Sequence, residues 1–169
     1  VSPEAMVSMQ VGFIPNPDEC DGAAFIANGQ WEFDTTSANT DGQAHSECEF
    51  DGQTYHDVWY RYEACGDGQL VVTTCEDLGG SADFDTDLVV YEVLDCGNLT
   101  LLGCNDDDSN NSCGGSPDYH STVTVDVTEG RIYTLRVGGW NEGSLGTGVL
   151  LVDGPDGDCG TEPCDGDVN

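Results

Sequence analysis

The sequence has no lysine and only three arginines, Arg61, Arg131 and Arg136, against 33 aspartates and glutamates in 169 residues. The formal net charge is therefore −30. Three guanidinium groups cannot build the basic patch that phosphate backbones or anionic lipid headgroups require. We therefore expect no nucleic-acid partner. The excess of carboxylates is typical either of a solvated acidic surface or of bound divalent cations.

Long apolar segments are missing as well. No stretch approaches the roughly 20 consecutive apolar residues of a membrane-spanning helix, so we predict no membrane insertion. Helical periodicity is nearly absent. The sequence starts at Val1 without a signal-peptide pattern, and we expect that a leader has been removed.

Motifs of catalysis are also absent. The sequence contains neither a Gly-x-Ser-x-Gly nor a His-Glu-x-x-His motif. The three histidines, His45, His56 and His120, are far apart in the sequence and adjoin no obvious nucleophile. Lone histidines are more often structural than metal ligands. We predict that the chain is not an enzyme.

Cysteine, by contrast, is frequent. Nine cysteines occur, without a Cys-x-x-Cys pair of zinc-binding spacing, and most lie beside glycine or aspartate at predicted strand ends. This pattern indicates a disulfide framework and an extracellular, secreted or cell-surface protein. The sequence leaves the connectivity open, and Cys113 is a candidate for the unpaired ninth cysteine. The expected pairs are Cys20–Cys48, Cys65–Cys75, Cys96–Cys104 and Cys159–Cys164.

Short segments of alternating apolar and polar residues recur along the chain, bounded by Gly, Asp and Asn. Val123, Val125 and Val127, for example, alternate with polar residues and should face a core. The spacing predicts an all-β fold, a jelly-roll-like antiparallel β-sandwich of eight or nine strands stapled by disulfides. The predicted strands are 5–14, 24–33, 57–63, 69–74, 88–93, 100–102, 121–127, 132–137 and 148–152.

The chain divides by composition into an extended arm (residues 1–15), the sandwich (16–152) and an acidic linker (153–169). A Pro-Asn-Pro sequence at 15–17 breaks the arm. The arm is either an ordinary first strand or an assembly strand that pairs with a neighbouring copy of the chain. Its apolar residues fall on one face of an extended strand: Ala5, Val7, Met9, Val11 and Phe13.

Two carboxylate-rich segments, 83–87 and 105–108, flank a predicted hairpin, which would bring them to the same edge of a sheet. So many like charges need a counter-ion, and calcium accepts six to eight oxygen ligands in irregular geometry. The alternative is two solvated acidic loops. A second, weaker candidate at the hinge combines Asn16, Asp18 and Glu19. The candidate calcium ligands at the sheet edge are Asp85, Asp87, Asn105, Asp106 and Asp107.

Two further features concern ligands. Trp140 lies in a glycine-rich loop at 138–143 and could stack on a sugar ring, whereas Trp59, flanked by apolar residues, is expected to pack inside. Near the end of the chain, Asp167 and Asn169 match the first and third positions of an EF-hand-like calcium loop.

Five sequence blocks occur in a familiar order: NPDEC at 16–20, DVWYRY at 57–62, FDTDLVVY at 84–91, CNDD at 104–107 and YTLRVGG at 133–139. Together they resemble the bacterial pre-peptidase C-terminal domains, especially the cysteine-rich versions in secreted planctomycete proteins. The resemblance implies a jelly-roll sandwich, secretion and a non-catalytic accessory role. Some relatives bind calcium at the N-terminal linker, whose positions here would be Asn16, Asp18 and Glu19, and some bind collagen or polysaccharide.

The C-terminal residues 164–169 resemble the start of a dockerin-type calcium repeat. The apolar arm before Asn16 departs from the family pattern, and no motif within these 169 residues indicates a peptidase domain. The first functional hypothesis is therefore a structural subunit that assembles with copies of itself into an extracellular filament or surface layer, using its arm and stabilised by calcium and disulfides. The alternative is a carbohydrate- or protein-binding accessory module of a larger secreted enzyme.

Overall fold

A computed structural model describes residues 17–92, 95–115, 117 and 119–159. The arm at 1–15, Asn16 and residues 160–169 lie outside this range, together with the predictions made for them. The described residues form ten strands: β1 (Ala24–Phe25), β2 (Gly29–Asp34), β3 (Tyr55–Glu63), β4 (Gly68–Thr73), β5 (Ser81–Ala82), β6 (Thr86–Glu92), β7 (Thr100–Asn105), β8 (Thr122–Val127), β9 (Ile132–Gly139) and β10 (Thr147–Asp153).

The strands form two sheets, as the alternating segments predicted. One sheet has the order β1-β3-β9-β6-β7, and the other has the order β2-β10-β4-β8 with β5 paired to β10. The neighbouring strands are antiparallel except for β1 and β3, which pair in parallel over two residues. The predicted all-β sandwich is therefore confirmed. Among the described residues, none forms a helix of the length and apolar character needed to cross a membrane.

The segment 24–33 is not one strand, as predicted, but two strands in different sheets. The chain leaves β1 after Phe25, and the carbonyl of Ala27 between the two strands accepts a hydrogen bond from the Trp31 indole (2.8 Å). It enters β2 at Gly29, which has a φ of 142° that L side chains rarely adopt. The glycine thus allows the crossing between sheets.

The core lies between the two sheets. It includes Val123, Val125 and Val127, so the predicted inward face of β8 is confirmed. A second apolar cluster covers the outer face of the β1-β3-β9-β6-β7 sheet. It includes Trp59 and Tyr91, whose rings stack with their centroids 6.0 Å apart. Trp59 is 1% exposed, as expected for a packed residue. The β1-β3-β9-β6-β7 sheet is therefore covered on both faces.

Arg136 anchors the long connection between β2 and β3 to the outer face of this sheet. Its guanidinium is fully buried and donates through Nε to Asp57 (2.6 Å). It also donates to the Gln43 carbonyl (2.9 Å), the Thr54 carbonyl (2.9 Å) and the Gln53 side chain (2.6 Å). A buried guanidinium with this many partners fixes the backbone that supplies them.

The disulfides differ from the expected pairs. Cys65 and Cys75 lie beyond opposite ends of β4, a six-residue strand about 20 Å long, so they cannot bond to each other. Cys113, expected to be unpaired, bonds to Cys75, and Cys159 bonds to Cys65 rather than to Cys164, which lies outside the described residues. The four bridges are Cys20–Cys96, Cys48–Cys104, Cys65–Cys159 and Cys75–Cys113.

Candidate metal centre

The β6–β7 hairpin brings the two predicted carboxylate segments together. Leu88, the third residue of β6, pairs with Asn105 at the end of β7 in antiparallel register. The residues just before β6 and just after β7 therefore meet at one edge of the β1-β3-β9-β6-β7 sheet. This is the arrangement that the sequence predicted.

Three of the predicted ligands form a compact cluster there. One carboxylate oxygen each from Asp85, Asp106 and Asp107 lies within 4.8 Å of the other two. The Oδ1 atoms of all three are buried and have no hydrogen-bond partner. Asp106 is 4% exposed, and the other two are partly buried. Because each unsatisfied buried polar group costs on the order of 1–3 kcal/mol or more, the cluster is suited to a cation.

The cluster is electrostatically strained without a cation. Burial, followed by the charges of neighbouring carboxylates, raises the pKa of Asp106 to about 8. Burial and the Asp107 carboxylate raise the pKa of Asp85 to about 7, and burial with Glu49 raises the pKa of Asp107. A divalent ion in the cluster would favour the charged forms and lower these pKa values.

Glu49 is a fourth acidic residue at this cluster and was not among the predicted ligands. Its Oε2 accepts a hydrogen bond from the backbone amide of Asp106 (3.1 Å). The disulfide between Cys48 and Cys104 joins the residue before Glu49 to the end of β7. Knowing that Cys48 pairs with Cys104 would have predicted Glu49 at this cluster. The spacing of the cysteines does not reveal that pairing.

Two predicted ligands lie beside the cluster rather than in it. Asp87 is 6% exposed and accepts a hydrogen bond from the Thr54 hydroxyl (2.6 Å), and burial raises its pKa to about 7. Asn105 donates through Nδ2 to the Asp107 carbonyl (3.1 Å), and its Oδ1 accepts the Thr122 amide (2.9 Å). Asn105 therefore orients the segment that carries Asp106 and Asp107.

The second candidate site, at Asn16, Asp18 and Glu19, includes a residue outside the described range and stays a prediction. Asp18 accepts hydrogen bonds from the backbone and side-chain amides of Asn39 (2.7 and 3.2 Å). Glu19 lines a separate cavity of about 360 Å³ with Asp41 and the Trp59 ring.

Two aromatic residues border the cluster. The backbone amide of Trp140 donates to the Asp85 carbonyl (3.4 Å), and the partly exposed Trp140 ring lies 5.3 Å from the ring of Phe50. Phe50 directly follows Glu49 and is 71% exposed. Trp140 is the predicted contact residue, whereas Phe50 was not predicted.

The three histidines bond to separate parts of the fold. The ring of His45 bonds to the Tyr91 hydroxyl (2.7 Å), and that of His56 to the Ala38 and Glu142 carbonyls (2.9 and 3.0 Å). His120 bonds to the Ala82 carbonyl (3.1 Å). None of the described metal-capable clusters contains a histidine.

No protein-family model and no curated protein matches the chain. Similar solved structures include the pre-peptidase C-terminal domain of a collagenase from Bacillus anthracis, with 14% identity and a TM-score of 0.46 over 84% of this chain and 100% of that one. CorA, a surface-associated copper-binding protein of Methylomicrobium album BG8, has 8% identity and a TM-score of 0.48 over 79% and 100%.

The CBM35 of Cellvibrio japonicus Abf62 has 14% identity and a TM-score of 0.33 over 74% of this chain and 94% of that one. All three TM-scores are below 0.5, so neither a ligand nor an activity follows from these similarities. The collagenase domain is of the class that the five sequence blocks resemble. The planctomycete type and the dockerin-like repeat stay predictions.

Proposed function

We propose that this chain is a calcium-binding, non-catalytic β-sandwich module of an extracellular protein. The observation that carries the proposal is the cluster of Asp85, Asp106 and Asp107, in which one carboxylate oxygen of each residue lies within 4.8 Å of the others and the buried Oδ1 atom of each has no hydrogen-bond partner. Hydrogen-bonded partners normally satisfy such atoms in a folded protein. A bound cation would satisfy all three at once.

The donor atoms favour calcium over other metals. The three clustered side chains and Glu49 offer carboxylate oxygens, whereas zinc and copper sites usually include histidine or cysteine. Magnesium requires near-octahedral geometry and keeps much of its water. Calcium tolerates the irregular arrangement of ligands that come from three separate loops.

The rest of the molecule supports the extracellular and non-catalytic parts of the proposal. Four disulfides close loops between distant strands, which is typical of proteins in oxidising compartments. The carboxylate cluster groups with no histidine among the described residues, and a histidine is the commonest base of hydrolytic nucleophiles.

Isothermal titration with calcium tests the metal site. The wild-type protein should bind calcium, and Asp106→Asn should bind it at least about 10-fold more weakly, because the substitution removes one charged ligand from the centre of the cluster. Asp126→Asn, at an exposed position of β8, is the matched control and should behave like wild type. Absence of calcium binding by the wild-type protein would overturn the proposal.

Self-assembly through the arm is a second candidate function. It is favoured by the β2-β10-β4-β8 sheet, in which the edge strands β2 and β8 each pair with a single described strand. Exposed strand edges accept further strands. Deleting residues 1–14 should give a folded monomer that no longer forms filaments, and filaments of the truncated protein in electron micrographs would contradict the idea.

A further inference from the structure

The ring of Phe50 is held in solvent by a closed loop. Residues 45–52 are joined by backbone hydrogen bonds from His45 to Gly52 (2.9 Å) and from Gly52 to Glu49 (2.9 Å). The disulfide at Cys48 fixes the same loop to β7. Phe50 has a φ of 55°, which is unfavourable for a bulky side chain. The fold thus holds Phe50, which is 71% exposed, at a fixed position on an unfavourable backbone conformation.

Both aromatic rings are tethered to the carboxylate cluster through the backbone. Glu49, which accepts the Asp106 amide, is the residue before Phe50. The amide of Trp140 bonds to the carbonyl of Asp85. The two rings then meet at 5.3 Å with an interplanar angle of 57°. The aromatic pair is therefore part of the same edge as the cluster.

A calcium ion in the cluster would have coordination positions left over. Calcium takes six to eight oxygen ligands. One oxygen each from Asp85, Asp106, Asp107 and Glu49 would fill four of them, and the remaining positions would hold water. Two adjacent hydroxyl groups of a ligand can replace such waters without a change in charge.

We infer that the Phe50–Trp140 pair and a calcium ion held by Asp85, Asp106 and Asp107 form one binding surface for a neutral carbohydrate ring. The inference rests on the calcium site proposed above. The ring's vicinal hydroxyl groups coordinate the ion, and its apolar face packs on the aromatic pair. The net charge of −30 disfavours an anionic sugar.

Affinity electrophoresis of the full chain tests this inference. The gels contain soluble neutral polysaccharides as probes, namely galactomannan, mixed-linkage β-glucan or arabinoxylan, each run with calcium and with excess chelator. At least one polysaccharide should retard the wild-type protein in calcium, and chelator should weaken this binding at least about 10-fold. Phe50→Ala and Trp140→Ala should lose retardation, whereas Phe25→Ala, at another exposed aromatic position (53%), should keep it.

Calcium titration of the same variants separates the two proposals. Phe50→Ala and Trp140→Ala should bind calcium like wild type, and Asp106→Asn should lose both calcium and polysaccharide. If the wild type binds calcium but none of these polysaccharides retards it, the carbohydrate inference fails and the calcium site stands. Retardation that persists in chelator or in Phe50→Ala also overturns the inference. Absence of calcium binding refutes the proposed function itself.

Discussion

The backbone amide of Asp106 donates a hydrogen bond to the carboxylate of Glu49, 57 residues earlier in the chain. This bond joins the loop between β2 and β3 to the end of the β6–β7 hairpin. It places a fourth carboxylate at a cluster that already holds three. The acidic edge is thus built from two parts of the chain, which the Cys48–Cys104 disulfide joins covalently.

Glu49→Gln should weaken calcium binding by about 10-fold, because the amide keeps an acceptor for the Asp106 backbone but removes a charge from the site. Isothermal titration measures the change. Glu47→Gln, an exposed acidic position two residues earlier, is the control and should leave the affinity unchanged. Equal affinities of wild type and Glu49→Gln would exclude Glu49 as a ligand.

Removing the Cys48–Cys104 disulfide by a double substitution to serine should lower both stability and calcium affinity. The bridge closes a separation of 56 residues, and loss of such a bridge typically costs about 2–5 kcal/mol. Serine at Cys65 and Cys159 should lower the melting temperature to a similar extent while leaving the calcium affinity unchanged, since this bridge is not attached to the site. Equal loss of calcium affinity in both variants would contradict a positioning role for Cys48–Cys104.

The stability of the calcium-free protein should fall as the pH rises from about 4 to about 8. Burial raises the pKa of Asp85 and Asp87 to about 7 and that of Asp106 to about 8, above the value near 4 expected in the unfolded chain. The folded protein therefore binds more protons than the unfolded chain in this window, and its free energy of unfolding decreases with pH.

Thermal melts in chelator across this pH range measure the effect. Saturating calcium should remove most of the decrease, because the ion stabilises the charged carboxylates of Asp85 and Asp106. Calcium should also raise the melting temperature more at pH 8 than at pH 5. A calcium-free protein whose melting temperature climbs steadily from pH 5 to pH 8 would contradict the assignment.

Arg136→Met should destabilise the fold by about 3–5 kcal/mol, because it leaves the buried Asp57 carboxylate without its cationic partner. Arg131→Met is the matched control. The Arg131 side chain is 61% exposed and pairs with Glu92. An ion pair at such an exposed position contributes about 1 kcal/mol or less. Chemical denaturation measures both changes, and similar losses in the two variants would show that burial of Arg136 contributes little.

The fold and three of the four acidic residues at the site were predictable from local sequence. Alternation at Val123, Val125 and Val127 reports which face of a strand is buried, and a hairpin necessarily brings the residues at its two ends together. This reasoning found Asp85, Asp106 and Asp107. The same reasoning predicted Asp87 as a ligand. Its carboxylate instead accepts a hydrogen bond from Thr54, a contact that the local sequence does not indicate.

The disulfides and Glu49 could not be predicted in the same way. Each bridge joins cysteines at least 38 residues apart, so its partner depends on the order of strands across the sheets rather than on spacing. Glu49 follows Cys48, whose bond to Cys104 fixes this part of the chain at the end of β7. The exposed position of Phe50 likewise depends on the closure of its loop, which no periodic pattern indicates.

The same bridges determine how the module bears mechanical load. A force applied at Cys20 and Cys159 passes through the first disulfide to Cys96, along the chain to Cys104, and through a second disulfide to Cys48. From Cys48 it runs along the chain to Cys65 and through a third disulfide to Cys159. On this shortest covalent route tension can extend only the segments 48–65 and 96–104, which contain β3 and most of β7.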